Sequence, residues 1–214
     1  MEKQFMDDIK EYSKLHDMAE NTGFIKRLLE GNATVETYGE YLYNLYEVYH
    51  TIEVNLEKHK ENKVIKNFAL PEIYRSDSLM EDLKFLLGDK LEKLEPLMST
   101  KSFMYRMYEI SETNPELIIA HAYTRYLADL FGGRTIYSIV KNKYNIDEKG
   151  LNYYQYEDIP NLKSFVMEYH GLLNNIKLDG DLKCKFLSEV NLSYIYNISI
   201  SNELEYNRFY KQNK

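Results

Sequence analysis

His121-Ala-Tyr-Thr-Arg-Tyr-Leu-Ala-Asp-Leu-Phe-Gly-Gly133 is patterned as part of one long helix, yet it contains an aspartate and two adjacent glycines. Each glycine inside a helix costs about 1 kcal/mol relative to alanine. The pair therefore predicts a bend, or a stretch of backbone that a flat body must approach closely. Upstream, Asn114-Pro115-Glu116 is a helix start: a capping side chain, proline at the first helical position and an acid in the first turn. Downstream, residues 142 to 160 mix Asn, Gly, Pro and acids with tyrosines and read as a loop.

The helical period continues in both directions, and no alternating strand pattern stands between turn signals. The fold class is all-α, a single-domain multi-helix bundle. A first helix is expected over about 4 to 29, with a break near Asn21 to Gly23 that can divide it and Gly31 at its end. Thr34 can cap the next, whose Tyr38, Leu42, Leu45, Tyr46, Tyr49, Ile52 and Leu56 recur every three or four residues and face a core. Pro71 marks an irregular connection. Asp77 or Ser78 opens helical segments through about Glu95, another helix spans about 99 to 112, and the last two cover about 161 to 176 and 180 to 205. No repeat or linker divides the chain, so residues 1–205 form one helical domain and the polar tail, 206–214, is expected to fray.

Composition narrows the function classes. The chain has 214 residues, 44% of them hydrophobic, enough for one sizeable core. A net charge of −7 argues against nucleic acid as the main partner. The single cysteine, Cys184, allows no internal disulfide and fits a reducing, cytoplasmic setting. No signal-peptide run opens the chain, and no long apolar stretch suggests a membrane span. The 21 tyrosines reflect a bias toward Tyr, Asn, Lys and Ile that needs no functional explanation.

Five histidines are candidates for metal or proton chemistry. His59 lies in a charged run and reads as solvated surface, and His121 as a hydrogen-bonded core residue. His50 closes Glu47-Val-Tyr-His50, the carboxylate-x-x-His spacing of di-iron bundles, but a di-iron site wants a second such pair and the chain has none. His16 differs in its downstream neighbours. Glu20, one turn on, can reach the imidazole and fix its orientation and tautomer, while Ala19 keeps that face thin enough for a flat ligand. Read alone, the pair reads as a surface His/Glu pair.

Together the two stretches resemble the haem oxygenases, from about Ile9 to Leu204. His16-x-x-Ala19-Glu20 with Phe24 after it matches the proximal helix. His121-Ala-Tyr-Thr-Arg-Tyr-Leu-x-Asp129-Leu-x-Gly132-Gly133 matches the distal helix in nearly every position. The resemblance implies a soluble, bacterial-type enzyme that sandwiches haem b, both cofactor and substrate, between those helices. Haem would be cleaved at a meso carbon, by default α, to biliverdin, carbon monoxide and ferrous iron, with dioxygen as co-substrate. His16 would be the proximal iron ligand, and Gly132 and Gly133 would let the backbone lie against the ring. Asp129, through an ordered water, would help deliver a proton, aided by Tyr49, Arg125 and Asn197. Tyr123, Lys10 or Lys14 would meet the propionates.

Departures from the family pattern are equally specific. Ala128 stands where the family usually has glycine, Phe131 where small or polar residues are common, and the usual lysine and arginine of the propionate clamp fall on Val166 and His170. These raise the alternative of a haem-binding or sequestration protein without turnover. More remote alternatives on the same scaffold are a di-iron oxidase and a thiaminase-like enzyme. The resemblance also implies an electron donor such as flavodoxin, ferredoxin or a flavin reductase, for which Lys10, Lys14, Lys26 and Arg27 could form a basic docking face.

Overall fold

The computed structural model describes residues 3–211. They form nine α-helices, short 3₁₀ turns and one π-helical turn, with no strand among the described residues. The helices are α1 (Phe5–Tyr12), α2 (His16–Glu20), α3 (Gly23–Glu30), α4 (Val35–Lys58), α5 (Ser76–Leu87), α6 (Met98–Thr113), α7 (Ile118–Lys143), α8 (Leu162–Asn174) and α9 (Gly180–Glu205). Helix α4 packs on α5 and α6, α9 packs on α3, α6 and α7, and α4 also meets α7. The core runs between them. Residues Ile118–Leu127 of α7 are buried on every side, which places that helix at the centre of the bundle.

Several helix ends obey the sequence signals. Thr34 and Thr37 form a reciprocal cap, each hydroxyl accepting the other's backbone N–H at 3.0–3.1 Å. Gly31 ends α3 at φ +84°. Asn161 and Asp179 cap α8 and α9 through the amides of Ser164 and Leu182. The expected α4 stripe is buried apart from the half-buried Tyr46.

Four expectations change. The first helix is three, because it also stops at Ser13, whose hydroxyl donates back to the Ile9 carbonyl at 2.7 Å and competes with continuation of the helix. Helix α5 starts at Ser76 and is capped from a distance: the buried Glu53 carboxylate of α4 accepts the Arg75 amide at 2.6 Å and the Ser76 amide at 3.3 Å. The Asn114 side chain makes no cap; Pro115–Leu117 form a 3₁₀ turn, and α7 begins at Ile118. The tail expected to fray is helical through Tyr210, with Arg208 bonded to Glu40 and the Arg27 guanidinium 3.8 Å from the Phe209 ring centroid. The rest of that tail, 212–214, lies outside the described residues.

Gly23 fixes where the first three helices sit. It holds φ +56°, and a Cβ there would stand 2.7 Å from the Ser201 carbonyl carbon and 2.8 Å from the Asn202 nitrogen of α9. Beside it the Ile25 amide donates to the Ser201 hydroxyl at 3.1 Å, and that hydroxyl donates to the Thr22 carbonyl at 3.1 Å. A Gly23→Ala substitution is expected to cost about 2 kcal/mol, read as a lower urea midpoint. An unchanged midpoint would mean that α3 can leave α9 without penalty.

Candidate active site

Helix α2 and helix α7 form the facing walls of a cavity. One wall carries His16, Ala19 and Glu20; the other carries Thr124, Arg125, Ala128, Asp129 and Gly132. The inner compartment, about 100 Å³, is closed by Tyr41, Tyr153 and Tyr154, and by Tyr194 and Asn197 of α9. The outer compartment, about 350 Å³, opens between Lys10, Tyr123, Phe131 and His170. A Cβ on Gly132 would meet nothing within 4 Å, so the α7 wall is thin where the cavity is open. Helix α7 continues as uninterrupted α-helix through both glycines; a Cβ on Gly133 would instead lie 3.5 Å from the Tyr154 ring.

The His16 ring is about half-exposed, edge-on to Tyr194 with centroids 6.0 Å apart. Its Nε2 lies 3.6 Å from Glu20 Oε1 and its Nδ1 3.5 Å from Asp17 Oδ1. The expected i, i+4 pair therefore exists, at a spacing slightly beyond a hydrogen bond.

Asp129 is the opposite case. Its Oδ2 accepts the Tyr49 hydroxyl in a short hydrogen bond, and its Oδ1 faces Arg125 Nη2 at 3.3 Å. Arg125 Nη1 donates to Asn197 Oδ1 at 3.1 Å, and Asn197 is fixed by donating to the Ser193 carbonyl at 2.7 Å. The structure thus brings Asp129, Arg125, Tyr49 and Asn197 into one network. Burial pushes the Asp129 carboxyl up to about 8, against the lowering effect of a hydrogen bond from Tyr153. Arg125 Nε is buried with no protein partner.

Tyr153 and Tyr154 belong to this site, although their segment reads in sequence only as a loop. Tyr153 stands 3.4 Å from both Tyr49 Oη and Arg125 Nη2, and Tyr154 Oη is 2.9 Å from Tyr38 Oη. Asp82 of α5 holds the turn in place by accepting the amides of Asn152 and Tyr153 at 2.8 and 2.9 Å. Aromatic side chains in a polar loop are the available signal, since such rings must pack somewhere.

At the outer end, His170 Nε2 is buried without a partner, and both burial and the nearby Lys10 charge hold that imidazole below its ordinary pKa. Tyr123 is buried beside it, its phenol raised by desolvation. Val166 is half-buried, and Phe131 is 66% exposed at the rim.

Other expected residues sit elsewhere. His121 is fully buried, with Nε2 2.9 Å from Glu189 Oε2, in a cluster that includes Arg106. His59 is not free surface: its Nε2 is 2.8 Å from Ser111 Oγ, tying the end of α4 to α6. His50 stacks on Tyr46 with centroids 5.5 Å apart, and no group of three or more His, Cys, Asp or Glu among the described residues could hold a metal. Arg27 is committed to Glu205 through bonds of 2.6–3.0 Å, which removes it from a docking face. No helix of the described residues is long and apolar enough to cross a membrane.

Comparisons with known proteins agree with the all-α fold. The family model described as "Heme oxygenase" matches residues 3–203. The "Heme oxygenase" of Rhodella violacea is 38% identical over 197 residues, 91% of this chain and 84% of that relative. The crystal structure of heme oxygenase-1 from the cyanobacterium Synechocystis in complex with heme superposes with a TM-score of 0.90 at 32% identity, covering 96% of this chain and 94% of that one. The heme oxygenase structure from Leptospira interrogans gives 0.89 at 32% identity, with 94% and 100% covered. The chain belongs to the haem oxygenase family.

Proposed function

We propose that the cavity between α2 and α7 binds haem b, with His16 the residue that would hold its iron and the Asp129 network on the facing wall. The observation that carries this reading is the pairing, across one cavity, of an imidazole with a thin helix wall and a buried carboxylate. Bound haem supplies redox-active iron and is itself the substrate, opened with dioxygen and electrons to biliverdin, carbon monoxide and ferrous iron. Ala19 and Gly132 leave room for a flat ring. Glu20 orients the His16 imidazole. Lys10, Tyr123 and His170, whose buried Nε2 lacks a partner, offer donors for the propionates.

Asp129 acts as the proton donor. A carboxyl lifted to about 8 holds its proton near neutral pH and can still release it, the condition an acid catalyst needs. Tyr49 and Arg125 aim its two oxygens, and Asn197 aims Arg125. The unpartnered Arg125 Nε is a place for a water between guanidinium and cavity. Electrons come from a flavodoxin, ferredoxin or flavin reductase that docks near the exposed Lys10 and Lys14. The lone free thiol, Cys184, fits a reducing cytoplasm.

The direct test is a single turnover: protein reconstituted with ferric haem, given ascorbate in air with catalase present. Loss of the Soret band with biliverdin in the extract supports the reading. A stable bound-haem spectrum without pigment would instead favour a haem-sequestering protein, the outcome that the Ala128 methyl beside Asp129 would produce by crowding the site. His16→Ala is expected to abolish turnover and the five-coordinate ferrous spectrum, both restored by added imidazole; an unchanged spectrum would remove His16 as ligand. Asp129→Asn is expected to bind haem but lower the biliverdin rate by about 100-fold. The same substitution has a signature in the haem-free protein. The unfolded carboxyl releases its proton near about pH 3.9, whereas the folded one holds it to about 8. Stability of the native chain therefore falls as pH rises between those values. Asp129→Asn should gain in melting temperature over the native sequence across that window, and a constant difference would contradict the raised pKa.

A further inference from the structure

Three polar pairs join α9 to α7 at successive turns. Glu189, Ser193 and Asn197 stand four residues apart and so share one face of α9. Glu189 Oε2 lies 2.9 Å from His121 Nε2, the Ser193 and Thr124 hydroxyls share a short hydrogen bond, and Asn197 Oδ1 accepts from Arg125 Nη1 at 3.1 Å. Further bonds tie each pair to the next. The Thr124 hydroxyl donates to the His121 carbonyl at 2.9 Å, and the Asn197 side-chain amide donates to the Ser193 carbonyl at 2.7 Å. Thr124 has one hydroxyl proton and gives it to His121, so Ser193 is the donor in the middle pair. The last pair lines the inner compartment and leads to Asp129, one turn beyond Arg125.

The first pair is costly as packing. Burial would raise the Glu189 carboxyl, but hydrogen bonds from His121 and Arg106 hold it below its ordinary value, so it is a carboxylate. Burial keeps the His121 imidazole neutral. The ring therefore donates from Nε2, and its Nδ1, an acceptor in that tautomer, is buried with no partner. Apolar residues of similar shape would fill this space with neither an orphaned acceptor nor a buried charge. What the polar pair adds is direction: a donor fixed on α7 meets an acceptor fixed on α9, and sliding one helix along the other breaks the bond. Arg106 of α6 braces Glu189 from outside and is itself paired with Glu109 at 2.6 Å.

We propose that His121 and Glu189 are positioning residues for Asp129, setting the register of α9 on α7 and with it the point from which Asn197 holds Arg125. The proposal rests on the reading of Asp129 as proton donor. Asn197 stands eight residues along α9 from Glu189, about 12 Å at the helical rise. A helix resists stretching along its axis, so a slip at the first pair carries Asn197 with it. Hydrogen bonds weaken steeply with misalignment. A slip that leaves the bundle folded therefore releases the guanidinium that faces Asp129 Oδ1.

The experiment is a double-mutant cycle on the single-turnover rate of biliverdin formation, in the full chain reconstituted with ferric haem. His121→Phe keeps a ring beside Phe103, whose centroid lies 5.3 Å from that of His121, and removes the donor. Asn197→Ala removes the last contact on the line. Each is expected to slow turnover about 10-fold, and the two together also about 10-fold, because both act through Arg125. Soret titration should give His121→Phe the haem affinity of the native chain, and His121→Gln, which keeps an N–H for Glu189, should restore most of the rate. In the haem-free protein the Arg125 guanidinium protons, assigned by their loss in Arg125→Lys, should exchange with solvent about 10-fold faster in His121→Phe. If His121→Phe fails to fold, Ser193→Ala, which deletes the donor of the middle pair, takes its place with the same expectations. Effects that multiply to about 100-fold in the double variant, as distant residues ordinarily give, or unchanged Arg125 exchange, would overturn the register role. Full turnover in Asp129→Asn would instead remove the proton-donor reading, and the exchange measurement would still decide whether His121 positions Arg125.

Discussion

A carboxyl and a guanidinium one helical turn apart, Asp129 and Arg125, are largely enclosed near the middle of the bundle. A charge or a polar group at that depth is costly unless other groups complete its hydrogen bonds. The completing groups come from three directions: Tyr49 from α4, Asn197 from α9 and Tyr153 from the turn after α7. Satisfying one helix therefore fixes the relative placement of all three neighbours. The demand propagates outward. Tyr153 can serve only because Asp82 holds its backbone, and Asp82 itself, raised to about 6 by burial, sits on α5. Helix α5 is in turn started by Glu53 of α4. The polar skeleton of the protein is a chain of such demands, each met by the next element.

How much of this is legible in the sequence depends on the range of the interaction. Thr34 and Gly31 act on residues within a few positions, and their signals place helix ends to within a residue or two. The Ser13 break and the Glu53 cap are not readable. The first is a choice between two local hydrogen bonds of similar strength, and the second joins groups more than twenty residues apart. At the site, the distal stretch points to Asp129, Arg125 and the glycines, and the likeness to known relatives adds Tyr49 and Asn197. Tyr153 and Tyr154 escape because a turn has no periodicity to mark which side chains point inward. His59 misleads for a related reason: a charged neighbourhood in sequence says nothing about a serine fifty residues away.

The departures from the family pattern gather at two places. Ala128 lines both compartments directly beside Asp129, so its methyl bears on the same space that the glycine opens. At the outer end, where the family pattern has two cations, this chain has a half-buried valine and a histidine disfavoured from charging by burial and by Lys10. An anionic group there meets one full positive charge, on Lys10, and uncharged donors from Tyr123 and His170. Such an end holds a carboxylate through hydrogen-bond geometry more than through long-range attraction, and its grip should respond little to salt.

The seam around Gly23 has a consequence for how the protein is made. The wall carrying His16 is anchored to Ser201 and Asn202, and Arg27 to Glu205, so the first thirty residues find many of their partners in α9. A growing chain makes those partners long after it has made residues 1–30. Helices α4 to α7 can pair with near neighbours while α1 to α3 wait, and the closing contacts have the longest sequence separation in the fold. The cavity is therefore completed only once α9 has been made and has docked. Both walls depend on that helix, and any ligand that needs both must arrive after it is in place.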